Sequence, residues 1–431
     1  MNVALAKTET GRAVNDMFAM ARARLPGSGE ARQKAFEAFE RAGLPTRRIA
    51  DWKYTDLRVL MREVLPLAAA PDQAALTKAS DVVKAVAVEN AHRLVLVDGV
   101  FAPKLSDLAG LEKGLRVQSL HEALDAGSDL LAAATDVMVS LNAAMATDGV
   151  VVSVGDGVAL AKPVQIIHVA TVSSASMFTR SRVQVGSGAR VTLVENFAAV
   201  SGAKSYQVND ALIVTVGDEA DVAHIRLMDD AADAVNISSG LVTVGAKSKV
   251  NFFGLTSGGR VSRYQGFVTL AGEGSDLSVN GVNLLKDSQH GDMTLVVDHA
   301  VPNCTSREVF RAVVDDRAHS VFQGKIIVRP DAQKTDGKMM TRALLLSDDA
   351  EADNKPELEI FADDVTCGHG AAIGALDESL LFYLRARGLS EKEAQALLIQ
   401  AFVGEAIESI ADDGLRDAVV AIAERWLAAR G

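Results

Sequence analysis

Cys367 and His369 stand two residues apart in the run Glu357-Leu-Glu-Ile-Phe-Ala-Asp-Asp-Val-Thr-Cys-Gly-His-Gly370. Side chains two apart on a β-strand share a face, so this Cys-x-His pair would present a thiolate and an imidazole together. Such a pair suits iron, zinc or copper. Gly368 and Gly370 leave room for an ion or another chain, and Glu359, Asp363 and Asp364 place carboxylates nearby. The plainer reading is an inert cysteine beside a hydrogen-bonded histidine. A second group, His290-Gly291-Asp292 with Asp298-His299, would gather imidazoles and carboxylates if it flanks one strand; polar turns at the edge of the fold are its plainer reading. His92, His121, His168 and His224 stand singly and read as structural. Cys304 reads as core or loop, and Trp52 and Tyr54 as packing anchors.

Several chemistries are missing. The chain has no GxxxxGK[ST] phosphate loop, no GxGxxG between strand and helix, no GxSxG elbow, no HExxH pair and no CxxC, so neither ATP hydrolysis nor a structural zinc site is expected. A stable iron–sulfur cluster usually takes four cysteine ligands, sometimes with histidine substituting. With two cysteines, the chain would have to share such a cluster or hold it briefly.

The elements that must position these residues fall into three regions, expected at 1–145, 146–374 and 375–431. The first mixes helical spacing (Ala13, Met17, Met20, Ala21; Ala35, Phe36, Phe39) with a strand at 93–97, and a further helix is expected over 129–145. It reads as a mostly helical α/β cap. In the second, short alternating runs repeat around tight turns: VQVGSGARVTLVEN, VTVGDEADVAHIR, VTVGAKSKVNFFG and VTLAGEGSDLSVNG. Their anchors Val185, Val216, Val244 and Leu270 recur every 26–31 residues. That period favours a β-solenoid over a sandwich, which has no need of self-similar turns. In the third, Asp377 and the Ser390–Glu393 capping box begin helices, and Ala394, Leu397, Leu398, Ala401 and Phe402 form an apolar stripe. This tail is expected to cap the open end of the solenoid or to dock a partner.

The chain has 431 residues, 48% of them hydrophobic and 23% charged, and a net charge of −12. The acidic balance argues against nucleic-acid binding. No apolar run approaches the roughly 20 residues of a membrane span, and the first residues do not read as a signal peptide. A cytoplasmic protein is expected.

The run KTDGKMMTRALLLSDDAEADNKPELEIFADDVTCGHGAAIG, then FYLRARGLSEKEAQALLIQAF, resembles the SufB/SufD family of the SUF iron–sulfur cluster assembly machinery, as does GLPTRRIADWKYTDL near the start. Cys-Gly-His-Gly at 367–370 is closer to the SufD branch than to the SufB branch. The resemblance implies a right-handed parallel β-helix flanked by N- and C-terminal helical regions. It implies a non-catalytic scaffold that pairs with SufB through the β-helix and docks the ATPase SufC through the C-terminal helices, with Leu397, Leu398, Ala401 and Phe402 as docking residues. No cofactor is expected to reside in the chain. Iron or a nascent cluster would be held transiently between this chain and SufB, at His369 and Cys367, with Glu359, Asp363, Asp364, His290 and His299 as further candidates. Without SufB the chain could pair with itself through the strand edge left open. Two rivals share the solenoid: a purely structural subunit with no metal ligand, and an enzyme acting on acidic polysaccharides, which the lack of a carboxylate array disfavours.

Overall fold

The computed structural model describes residues 9–61, 63–126, 130–131 and 136–430. Of the helix expected over 129–145, residues 129 and 132–135 lie outside that description; the helix is present over Val137–Met145.

Nineteen strands among the described residues build two stacked sheets. They are β1 (His92–Val97), β2 (Val100–Phe101), β3 (Leu115–Ser119), β4 (Val150–Val154), β5 (Val164–Ala170), β6 (Ser176–Val185), β7 (Arg190–Ala199), β8 (Gln207–Val216), β9 (Asp221–Met228) and β10 (Val235–Val244). The rest are β11 (Lys249–Thr256), β12 (Val261–Leu270), β13 (Asp276–Leu285), β14 (His290–His299), β15 (Thr305–Val314), β16 (His319–Val328), β17 (Asp336–Leu345), β18 (Glu351–Ile360) and β19 (Thr366–Gly374). One sheet runs β19-β17-β15-β13-β11-β9-β7-β5-β1-β2 and the other β18-β16-β14-β12-β10-β8-β6-β4-β3. From β4 onward each strand pairs in parallel with the strand two later, which is a β-solenoid of two strands per coil. The paired strands begin at residue 92, so β1–β3 of the first region belong to the same two sheets.

The repeat anchors read from the sequence are register partners: Val185 faces Val216, Val216 faces Val244, and Val244 faces Leu270. The glycine that opens each of these turns has a steric cause. A Cβ at Gly217 would lie 2.6 Å from the Ser187 backbone nitrogen, and one at Gly272 would lie 1.9 Å from that of Ala246. Each turn therefore stacks directly on the backbone of the turn before it, and any side chain would force the coils apart.

Inward-facing positions alternate with outward ones and stack in columns, such as Val191–Val222–Val250–Leu277 and Leu193–His224–Phe252–Val279. They fill the lumen between the sheets. The outer faces carry the helices. On the sheet that ends at β18 sit α1 (Glu9–Ala21), α2 (Gly29–Ala42), α3 (Leu57–Leu60) and α6 (Val137–Met145), whose Phe18, Phe36, Phe39 and Leu141 share a core with Phe178, Val235, Ile237 and Val261. The two remaining helices of this half are α4 (Gln73–Val86) and α5 (Leu120–Asp125). Val14, Met17, Phe18 and Ala21 form the buried stripe of α1, whereas Met20, expected in it, is exposed.

The C-terminal helices are α7 (Glu378–Ala386), α8 (Glu391–Ile407) and α9 (Asp413–Ala428). The sequence suggested a tail closing the end of the solenoid. Instead α8 and α9 lie along the outer face of the other sheet, where Ile399, Val403, Ala406, Val419 and Trp426 share a core with Val194, Ile225, Phe253, Val282 and Val313. Outward-facing apolar residues in five successive coils create that face, and the helices cover it. The last coil, β18 and β19, keeps its outer edge free of a strand partner among the described residues.

Candidate functional site

β19 positions the Cys-x-His pair. Cys367 is in register with Gly337 and then Ser306, and His369 with Met339 and then Glu308. Met339 belongs to the lumen core, and Cys367 packs against that core. Parallel register keeps each column on one side of its sheet, so Cys367 and His369 both face the lumen at its last coil. Cys367 is half-buried and His369 exposed. A Cβ at Gly368 would meet nothing within 4 Å, so the backbone between them is open to approach; one at Gly370 would touch Met340 at 2.6 Å. Burial pushes the Cys367 thiol up, with Asp336 and Glu308 acting in the same direction. An incoming metal ion therefore has to displace the thiol proton.

Two coils below His369 lies Glu308, a residue that the sequence reading did not single out. It is fully buried, and neither carboxylate oxygen has a hydrogen-bond partner of ordinary geometry. Burial pushes its carboxyl up to about 8, against the pull of Ser306 and Arg307. Gly337, with no side chain, separates Cys367 from Ser306, whose hydroxyl meets His299 Nε2 at 3.0 Å. The open end thus continues inward as a polar string: Cys367, Ser306, His299 and Glu308.

The other candidates are dispersed. Glu359 is exposed on the outer face of β18, bonded to Lys325 at 3.0 Å. Asp363 and Asp364 are exposed in the β18–β19 turn, and Asp364 pairs with Lys334. His290 lies outside the lumen under the N-terminal segment, 2.9 Å from Thr55 Oγ1, and burial lowers it to about 4. Beside it Asp292 bonds Thr55 and Arg263, and the Arg263 guanidinium stacks 3.9 Å over the buried Trp52 ring. His299 reaches the lumen, and His290 does not; the two histidines do not meet around one strand. On α8, Leu397 and Ala401 are exposed, and Leu398 and Phe402 half-buried, with Arg311 5.6 Å above the Phe402 ring.

A second polar cluster was invisible in the sequence. Glu195 on β7 accepts hydrogen bonds from His224 Nε2 at 2.7 Å and from Arg226 at 2.8 Å, both on β9. Arg226 also reaches Asp210 of β8 at 3.4 Å, and Thr179 of β6 donates to Asp210 at 2.7 Å. The Arg226 guanidinium lies over the rings of Phe197 and Tyr264. His168 on β5 stacks on Phe197, with centroids 4.2 Å apart. A ring nitrogen of His168 and one oxygen each of Glu195 and Asp210 all lie within 4.8 Å of one another, a His/Glu/Asp group able to bind a metal ion. The signal was the coil period. His168 precedes Glu195 by 27 residues and Glu195 precedes Arg226 by 31, so residues isolated in sequence are neighbours in space.

Family models match most of the chain. Residues 13–166 match the SufBD protein N-terminal region, and residues 168–402 match the SufBD core domain of SUF system FeS cluster assembly. The chain is 31% identical over 402 residues to the iron–sulfur cluster assembly protein SufD of Escherichia coli (strain K12), covering 90% of each chain. It is 31% identical over 405 residues to an iron–sulfur cluster assembly SufBD family protein of Synechocystis, covering 88% of this chain and 86% of that one. It is 30% identical over 302 residues to SufD of Bacillus subtilis (strain 168), covering 67% of this chain and 66% of the relative.

Proposed function

The chain belongs to the SufBD family of iron–sulfur cluster assembly proteins, and from that premise we propose that it is the SufD-type scaffold subunit whose open lumen end receives iron and sulfide jointly with SufB. The family role is that of an assembly scaffold, and no catalytic site is evident among the described residues. The observation that carries the finer reading is the placement of Cys367 and His369 on the lumen side of the outermost strand, beside strand edges that lack a partner.

In this reading the edges of β18 and β19 meet the corresponding edges of SufB, and the two lumens face each other. Cys367 ligates as thiolate after losing its proton, and His369 as the neutral imidazole. Iron and sulfide are cargo here, gathered at the junction and passed on. SufC docks on the C-terminal helices, where Leu380, Phe382, Tyr383 and Leu397 are exposed. ATP-driven closure of two SufC copies would pull these helices. Because α8 and α9 are packed along five coils of the solenoid, that pull is transmitted to the body of the sheet and changes the junction.

The test is co-expression with SufB and SufC, using the native chain and His369→Ala, with assembly read by size exclusion and anaerobic iron and sulfide content read per complex. The reading expects an intact complex with much lower loading. Unchanged loading in an intact complex would leave a purely architectural subunit.

A further inference from the structure

We propose that His168, Glu195 and Asp210 form a second, sealed site inside the solenoid that holds one divalent first-row transition ion, such as ferrous iron or zinc, as a structural clamp across coils. The site stands on different strands from the open end and does not depend on how that end works.

Three observations support it. The donors come from β5, β7 and β8, which belong to both sheets and to adjacent coils, yet their ligand atoms lie within 4.8 Å of one another. A tetrahedral ion with bonds of about 2.1 Å holds its ligand atoms about 3.4 Å apart, a distance that small side-chain rotations can reach. Next, His168 is only 8% exposed and its Nε2 has no hydrogen-bond partner. A buried polar nitrogen without a partner is costly, and stacking on Phe197 holds the ring in place. An imidazole nitrogen is also the commonest metal donor.

The third observation is the set of residues that hold the carboxylates in place. Arg226 bridges Glu195 and Asp210. His224, which donates to Glu195, and Thr179, which donates to Asp210, then orient the two carboxylates from behind, as supporting residues do around metal ligands. One imidazole and two carboxylates suit ferrous iron, manganese or zinc, and the absence of sulfur disfavours softer ions. The ion would enter as the coils close during folding, because all three donors are buried.

The probe is Co²⁺, supplied during expression of the full-length chain in minimal medium. The chain carries Cys367→Ser and His369→Ala to remove the open-end donors. The proposal expects about one cobalt per purified chain, resistant to EDTA until the protein unfolds. X-ray absorption should show a shell of nitrogen and oxygen with one imidazole and no sulfur. Adding Asp210→Asn, which keeps the side-chain volume, or His168→Phe, which keeps the stack on Phe197, should lower retention at least about 100-fold, and His224→Gln should lower it by about 10–100-fold. Failure to retain cobalt in the folded background chain would overturn the proposal and leave a hydrated ion-pair cluster. Retention unchanged by Asp210→Asn in a chain with native circular dichroism would also overturn it. Neither result bears on cluster loading at Cys367 and His369, which the background lacks.

Discussion

The two polar groups of the lumen are opposites. In the early coils, Glu195, Asp210, Arg226 and His224 are buried and bonded to one another across three strands. At the last coil, Cys367 and His369 lie on a terminal strand, with no strand beyond them among the described residues. The same inward-facing geometry therefore gives a cross-linked interior at one place and an accessible donor pair at the other. The difference lies in what surrounds each position. Glu195, between two coils, is matched by Arg226 and His224, whereas a group on the final coil is left for whatever docks there; Glu308 and His168 Nε2 are inward groups that stay unmatched.

The sharpest way to break this comparison is to remove one partner from the interior cluster. Arg226→Met should cost about 3–5 kcal/mol, because it leaves two buried carboxylates without their counter-charge. His369→Ala should change stability by no more than about 0.5 kcal/mol, because the side chain is exposed. Urea denaturation of both variants checks this, and equal costs would erase the distinction.

Glu308 sharpens the comparison by pH. Its carboxyl is raised from an ordinary 4.5 to about 8 in the folded chain. Between those values the folded state keeps a proton that the unfolded state has lost. The stabilising contribution of that protonated form is thus full below about 4.5 and disappears as pH rises through about 8. Glu308→Gln should remove this loss, making the variant gain about 2–4 kcal/mol on the native chain between pH 5 and pH 8.5. Parallel stability curves would contradict the burial of an unpartnered carboxylate at the open end.

His290, outside the lumen, should show the opposite slope. Burial lowers it to about 4, so between about 6.5 and 4 the unfolded chain binds a proton that the folded chain refuses. Stability falls as pH drops through that window, by about 1–3 kcal/mol, and His290→Gln should flatten the fall. Hydrogen exchange at Thr55 and Trp52 locates the effect, since those residues hold the N-terminal segment against His290 and Arg263. The smallest effect belongs to the outer face. Glu359→Ala breaks an exposed pair with Lys325 and should cost about 0.2–1 kcal/mol, with cluster loading unchanged.

Legibility followed the same division. The solenoid was readable because Val185, Val216, Val244 and Leu270 mark one inward position in successive coils, and that position is repeated by packing. Cys367 and His369 were readable because both lie on one strand, within two residues of each other. The interior cluster was not, because its members lie on β5, β7, β8 and β9 and become neighbours only through register. His168 and His224 looked solitary for that reason. The position of the tail could not be read either. Ile399, Val403 and Ala406, rather than Leu397 and Ala401, face the solenoid, and the apolar surface that attracts them is scattered through five outward positions a coil apart. Glu359 looked like a neighbour of Cys367 in sequence, but it points away from the lumen on the other sheet.

The central claim is that His369 contacts the nascent cluster. Electron spin echo modulation on the one-electron-reduced, anaerobically loaded complex with SufB and SufC tests it most directly. The account predicts a histidine nitrogen coupling that changes with ¹⁵N-histidine labelling of this subunit and vanishes in His369→Ala. An identical spectrum from the native and His369→Ala complexes, both intact and loaded, would contradict it.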